Sequence, residues 1–125
     1  MSISVFGKYI SALRESRSLT IEEFSGLTGI TVDRHRDIES GKVIPAPTII
    51  NKLSKVLKTP HDELMIAAGY YTKEWVGNDF NRRIAYEFTL LKMENTYLRD
   101  KVFHLEKAVV HLTDGLSREG EEVNV

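Results

Sequence analysis

Apolar residues recur along this chain with two different periods. Up to about residue 69 they fall at three- and four-residue spacing in short runs, the mark of amphipathic helices. Phe6, Tyr9, Ile10 and Leu13 form one stripe, with Lys8, Arg14, Glu15 and Arg17 on the other face or its edge, which predicts a helix over 6–17. Phe24 and Leu27 share a face in a second segment, 20–28, and Ile38 points inward from a third, 32–40. Ile49, Ile50, Leu53, Val56 and Leu57 mark a fourth, starting at Pro47 or Thr48, and Leu64, Met65 and Ala68 a fifth, ending at Gly69. From Ile84 onward the period becomes seven. Leu91, Leu98, Leu105 and Leu112 take one position of the heptad (d), and Phe88, Asn95, Val102, Val109 and Leu116 take the other (a). A 4-3 repeat sustained over more than four heptads predicts a coiled coil.

Local signals fix where the elements start and stop. Thr20 can cap the second helix, with Glu23 as its capping-box partner. Gly29 stands where the chain turns sharply, and glycine adopts φ > 0 there without strain. Thr31 caps the third helix and Gly41 ends it. Pro45 and Pro47 keep the following segment a loop. Thr59, Pro60 and Asp62 read as cap, first helical residue and first-turn acid of the fifth helix. The expected fold is all-α: a five-helix domain over 1–69, a connector over 70–80, a parallel dimeric coiled coil over 81–116 and a disordered acidic tail over 117–125. In the connector, Tyr70, Tyr71, Trp75 and Phe80 flank a Gly77-Asn78-Asp79 break. These rings could stack on bases; packing against the helical domain is the favoured reading, since such rings bury well.

The residues flanking the heptad core sharpen the coiled-coil reading. Valine at a with leucine at d favours two parallel strands, and the single Asn95 at a fixes register. In a parallel homodimer Glu87 faces Lys92 of the second copy, Glu94 faces Arg99, and Lys101 faces Glu106, three pairs of opposite sign. Each adds only about 0–1 kcal/mol, but all three agree. A helix folded back on the domain, an antiparallel pair, or a trimer admitted by Phe88 remain the alternatives.

Composition narrows the class of function. The chain has 125 residues, no cysteine and a net charge of −1. Residues 1–70 hold nine Lys/Arg against eight Asp/Glu, and residues 71–125 hold eight against ten. Net charge therefore makes no case for nucleic acid, and local placement has to. No run approaches the roughly 18 apolar residues of a membrane span, and the N-terminus lacks the pattern of a secretory signal. Absence of cysteine removes disulfides and thiolate metal sites and suits a reducing cytoplasm. His104 and His111 are seven residues apart, about 10 Å along a helix, too far to share a metal. His61 lies in a first turn where nothing calls for chemistry. No catalytic constellation or cofactor motif is present, so neither enzyme activity nor a cofactor is expected.

Residues 19–42 read as helix, glycine turn, helix, the layout of a helix-turn-helix whose second helix can enter a DNA major groove. From about residue 6 to 69 the chain resembles the lambda-repressor/Cro class, the XRE family of bacterial and phage regulators. The resemblance is carried by Leu13-Arg14, Leu19-Thr20, Glu23-Phe24, Leu27-Thr28-Gly29-Ile30-Thr31, Ile38-Glu39, Gly41-Lys42, Pro45, Leu53, Leu57 and Asp62-Glu63-Leu64. It implies a cytoplasmic, nucleoid-associated regulator, most often a repressor, that binds double-stranded operator DNA as a dimer and can be met by a protein antagonist. It further implies a structural ion pair between Arg14 and Glu39, and DNA contacts from Thr20, Thr31, Val32, Asp33, Asp37 and Lys42.

The chain departs from the family pattern in that segment. Ile21, Val32 and Asp33 stand where glutamine is frequent. Val32 can touch only a thymine methyl, and Asp33 can accept only from cytosine. Arg34 and Arg36, beside the acids, are expected to take over as guanine readers or phosphate clamps, with an Arg–Asp pair able to lock the reading pose. His35 replaces the usual Ile or Val at an inward position; a partly buried neutral imidazole is expected, with a pH switch as the alternative. The rival to DNA binding is a helix-turn-helix used only for protein contact, as in an antirepressor or a regulatory partner acting through its coil.

Overall fold

A computed structural model describes the backbone of residues 3–124 and the side chains of residues 5–113. The elements are α1 (Ile3–Ser16), α2 (Ile21–Thr28), α3 (Val32–Ser40), α4 (Pro47–Leu57), α5 (His61–Ala67), α6 (Lys73–Val76) and α7 (Phe80–Asn124). The all-α expectation holds, with no strand among the described residues. α1 packs on α3, α2 on α3 and α4, and α4 on α5. The predicted stripes supply the core: Phe6, Tyr9 and Ile10 from α1, Phe24 from α2, Ile38 from α3, Ile50, Leu53 and Leu57 from α4, and Leu64 from α5.

One residue sets how closely α1 and α3 approach. A Cβ on Gly7 would lie 2.5 Å from the Glu39 carbonyl oxygen and 2.6 Å from that of Ile38. Those are backbone atoms that cannot step aside, so any larger side chain there pushes α3 outward. At the far end of α1, Arg17 Nε donates to the Leu57 carbonyl at 3.0 Å and ties α1 to the end of α4.

Two local expectations change. Thr59 does not cap α5; its buried hydroxyl donates to the Leu57 carbonyl instead, and α5 begins at His61 after Pro60 with no side-chain cap. The short α6 forms inside the connector. There Tyr71 packs against the core and Trp75 stacks on Tyr71 at 4.6 Å between centroids.

α7 uses two faces. Thr89 and Met93 are buried, and Met93 joins the core of the five-helix unit. Tyr86 and Leu90 are half-buried on the same side. This stripe packs α7 against α1, α5 and α6. It falls on the b, c and f positions of the heptad, which a coiled coil leaves to solvent. Phe88, Leu91, Leu98, Val102, Leu105, Val109 and Leu112 all remain exposed on the opposite side, as does Asn95. A helix folded back on its domain and a free heptad seam are therefore not alternatives here, because different faces serve each. The backbone of α7 also continues past Leu116 as helix to Asn124, where the heptads end and a disordered tail is expected. Glu119, Glu121 and Glu122 are good helix formers, and no proline interrupts the run. No helix among the described residues is long and apolar enough to cross a membrane.

Candidate nucleic-acid interface

α2, the Gly29 turn and α3 are assembled by caps at each junction. The Thr20 hydroxyl accepts from the Glu23 N–H, and the Glu23 carboxylate accepts from the Thr20 N–H, both at 3.1 Å. α2 ends at Gly29, whose φ of 74° lies in the left-handed region, a conformation costly for residues with a Cβ. The Thr31 hydroxyl then accepts from the Arg34 N–H at 3.2 Å and starts α3. Gly41, with φ 86°, ends it.

The inner side of α3 holds it in place. Arg14 donates to both carboxylate oxygens of Glu39, at 2.9 Å and 3.0 Å, and also to the Leu19 carbonyl at 2.7 Å. This fork joins α1, the α1–α2 loop and α3 with one guanidinium, the planar geometry arginine supplies. The hydrogen bond to Glu39 keeps Arg14 charged. His35 is fully buried rather than partly so. Its ring packs on Phe24 at 4.5 Å between centroids, and Nε2 lies 2.7 Å from the Thr28 hydroxyl. Burial, with help from the Arg14 charge, holds this imidazole below the ordinary histidine range against the opposing pull of Glu39, so it stays neutral near pH 7. Nδ1 has no hydrogen-bond partner among the described residues. Thr28, not Leu27, is the buried residue at the end of α2, and Leu27 is exposed. The Thr28 hydroxyl also accepts from the Ile30 N–H at 3.2 Å, bracing the turn.

The outer side of α3 carries the candidate contact residues. Thr31, Asp33, Arg34 and Asp37 line a cleft of about 660 Å³ with Val43 to Ala46 and Tyr70. Val32 is half-buried, while Thr20, Arg36 and Lys42 are exposed. The two arginines do not act as neighbours, since residues two apart on a helix face different ways. Arg34 lies on the cleft side. Arg36 reaches the other way, 4.0 Å from Glu22 on α2 and 3.9 Å from Asp33. Lys42 is 3.9 Å from Asp37. Acids on the same surface thus shadow two of the three basic groups, and Arg34 makes no ion pair among the described residues. Tyr70, a connector residue by sequence, lines this cleft, and its hydroxyl donates to the Pro45 carbonyl at 2.9 Å. Nothing in the local pattern marks that contact, which depends on the chain returning past α5.

The helix-turn-helix family model matches residues 10–64. Among curated proteins of Bacillus subtilis (strain 168), the HTH-type transcriptional repressor RghR is 41% identical over 66 residues, which are 52% of this chain and 49% of RghR. The uncharacterized HTH-type transcriptional regulator RghRB is 41% identical over 69 residues, 54% of this chain and 50% of that protein. The uncharacterized HTH-type transcriptional regulator YazB is 34% identical over 64 residues, 51% of this chain and 93% of YazB. The chain belongs to the XRE-type helix-turn-helix family of transcriptional regulators. This family region covers α2 to α4 whole and ends inside α5, so α7 lies beyond it. The chain spans about half the length of RghR and RghRB. No solved structure matches.

Proposed function

We propose that this chain is a sequence-specific transcriptional regulator that binds a palindromic operator as a homodimer, with α3 in the major groove. The observation that carries the reading is the outer surface of α3. It is capped, held from behind by Arg14–Glu39, and turns Thr31, Asp33, Arg34 and Asp37 outward beside an open cleft. Arg34 and Arg36 are the base or phosphate contacts, Lys42 and the exposed Thr20 at the start of α2 hold phosphates, and Val32 meets a thymine methyl. The exposed heptad seam supports parallel self-pairing through Phe88, Leu91, Asn95, Leu98, Val102, Leu105, Val109 and Leu112, a coil about 50 Å long from ~33 residues at 1.5 Å each. Two-fold symmetry then places the half-sites about one helical turn apart, or a multiple of it. Repression is assigned by likeness to RghR, and the site of action is the cytoplasm, on the nucleoid.

One experiment tests the whole reading. Duplexes are selected from a random pool on the full chain, and their affinity is followed against salt, with the mass of the free protein taken by sedimentation. The expected result is recovery of two-fold symmetric sites, affinity falling steeply with salt, and a species of twice 14.3 kDa. Failure to retain any duplex, with tight binding to a second regulator through α7, assigns the chain instead to protein contact alone.

A further inference from the structure

α7 is fastened to the helix-turn-helix unit at several points along one side. At its start, Arg82 donates to the Trp75 carbonyl at 2.8 Å and its guanidinium lies over the Trp75 ring at 5.0 Å. In the middle, Met93 enters the core, and Lys92 donates to Glu63 at 2.7 Å. That same carboxylate accepts from the buried Tyr9 hydroxyl at 2.6 Å. Toward the far end, Lys8 pairs with Asp100 at 2.7 Å. Arg82 grips the connector helix α6; on the head itself the contacts run from Tyr86, which with Leu90 lines a cavity against Phe6, Ile44 and Ile66, to Asp100, roughly 21 Å of helix at 1.5 Å per residue. A single contact would act as a pivot; a row of them over about four turns resists both swivel and slide. The break at Gly77-Asn78-Asp79 is bypassed by this seat.

The seat's buried contacts lie on the b, c and f side, opposite the heptad seam; only Lys92 stands at the seam's edge (e), where its ammonium is held by Glu63 of its own head rather than left for Glu87 of a second copy, and the apolar seam stays free for self-pairing. In a parallel pair the two back sides point away from each other. Each head then rides outward on its own helix, at the same height, with its α3 held at one distance and one angle from the partner's. We propose that the seat formed by Lys8, Tyr9 and Glu63 with Thr89, Lys92, Met93 and Asp100 sets the half-site spacing the dimer accepts. It acts without touching DNA, as a positioning device for specificity. This rests on the DNA-binding homodimer proposed above.

The test uses the full chain and the selected duplexes, rebuilt with zero to six base pairs added between half-sites. Because the chain has no cysteine, Lys55→Cys at an exposed position of α4 gives one spin label per protomer for head-to-head distances. Native seat residues are expected to give a narrow distance distribution. Affinity should fall at least tenfold when three base pairs are added, since about a third of a turn rotates one half-site away. Thr89→Lys/Asp100→Lys, which forces charge into the seat and leaves the seam intact, should broaden the distances and hold affinities within threefold across spacings, the dimer mass unchanged. If that variant loses its cooperative melt, Lys8→Asp serves instead: it should broaden the distances and flatten the profile, and Lys8→Asp/Asp100→Lys should restore both. A flat profile for the native seat, or an unaltered profile in the unseated variant, overturns the spacing role alone. Failure to recover any duplex overturns the DNA reading and the spacing role together, and a monomer mass overturns both through the loss of the second head.

Discussion

α3 and α7 both turn a face to solvent that the folded chain does not use, and the two faces differ in kind. That of α3 is polar and largely balanced within itself: Arg36 sits near Asp33 and Glu22, and Lys42 near Asp37. That of α7 is apolar and unbalanced, with Leu91 at 61% and Leu105 at 60% exposure. A polar face is content in water and gains from a ligand only what exceeds its own ion pairs. A continuous apolar seam gains by leaving water. The difference teaches which surface supplies affinity and which supplies choice. In the proposed dimer, self-association draws on area along α7, whereas DNA must displace charges already engaged on α3, so the proposal has a single head bind weakly and two presented together bind well.

The comparison breaks most visibly on the seam. Leu98→Asp/Leu105→Asp places four carboxylates in the core of the proposed dimer and removes apolar groups worth roughly 1.5–3 kcal/mol each when buried. Self-association should weaken by more than about a hundredfold, or roughly 2.7 kcal/mol, in sedimentation equilibrium. Near-ultraviolet circular dichroism of the head should not change, because both leucines are exposed and neither belongs to the core cluster. A variant that stays dimeric would show that the exposed seam is not the pairing surface.

On α3 the next largest effect belongs to the arginines. Arg34→Ala/Arg36→Ala should weaken binding to selected duplexes by well over tenfold, at about 1–3 kcal/mol per specific contact. Taken singly, Arg34→Ala should cost more, because among the described residues Arg34 has no ion pair to give up on binding while Arg36 has two acids beside it. Equal affinity in fluorescence anisotropy would mean that the contact surface lies elsewhere. The acids give a smaller effect of opposite sign. Asp33→Asn/Asp37→Asn releases Arg36 and Lys42 from exposed pairs worth about 0–1 kcal/mol each, so affinity should rise about two- to tenfold. A fall instead would identify Asp33 as a reader of a cytosine amino group.

Much of this was legible in the sequence because it is local. The caps at Thr20 and Thr31, the turns at Gly29 and Gly41, and the seven-residue period all depend on residues within one or two helical turns. What was missed depends on distant segments meeting. Gly7 reads as an ordinary small residue in a helix until α3 is laid across it. Thr59 reads as a cap until the end of α4 offers its carbonyl first. The back stripe of α7 is the most instructive case. Tyr86, Leu90, Met93 and Tyr97 recur at three- and four-residue spacing and could have been noticed, but the heptad assigns those positions to solvent. A helix with two apolar faces carries two patterns at once, and the stronger hides the weaker. On the candidate interface the residue types were readable, while the pairing of Arg36 and Lys42 with acids, and the turn of Tyr70 toward the cleft, were not.

The smallest effect expected lies behind α3 and sharpens the contrast between its two sides. Outward, its charges face water; inward, His35 is neutral, buried and packed among Phe24, Thr28, Arg14 and Glu39. Burial lowers its pKa on folding from the ordinary value of 6.5. Between the folded and unfolded values the unfolded chain binds the extra proton, so stability rises with pH in that window. His35 therefore contributes fully above about pH 6.5, and its contribution shrinks as pH falls through the window toward the folded value. Asp100 is also shifted down, by its hydrogen bond from Lys8, but from an ordinary value of 3.8, so the loss it brings begins only in the carboxylate range. Thermal melts from pH 7 to 5 should show Tm falling first through His35, where about 1 kcal/mol corresponds to about 4–8 °C for a head of this size. His35→Val, which keeps the inward position apolar, should flatten that stretch of the curve and leave the steeper loss at lower pH. If the slope between pH 6.5 and 5 survives the substitution, the proton is taken up elsewhere, and the inner side of α3 is as indifferent to pH as its outer side is to burial.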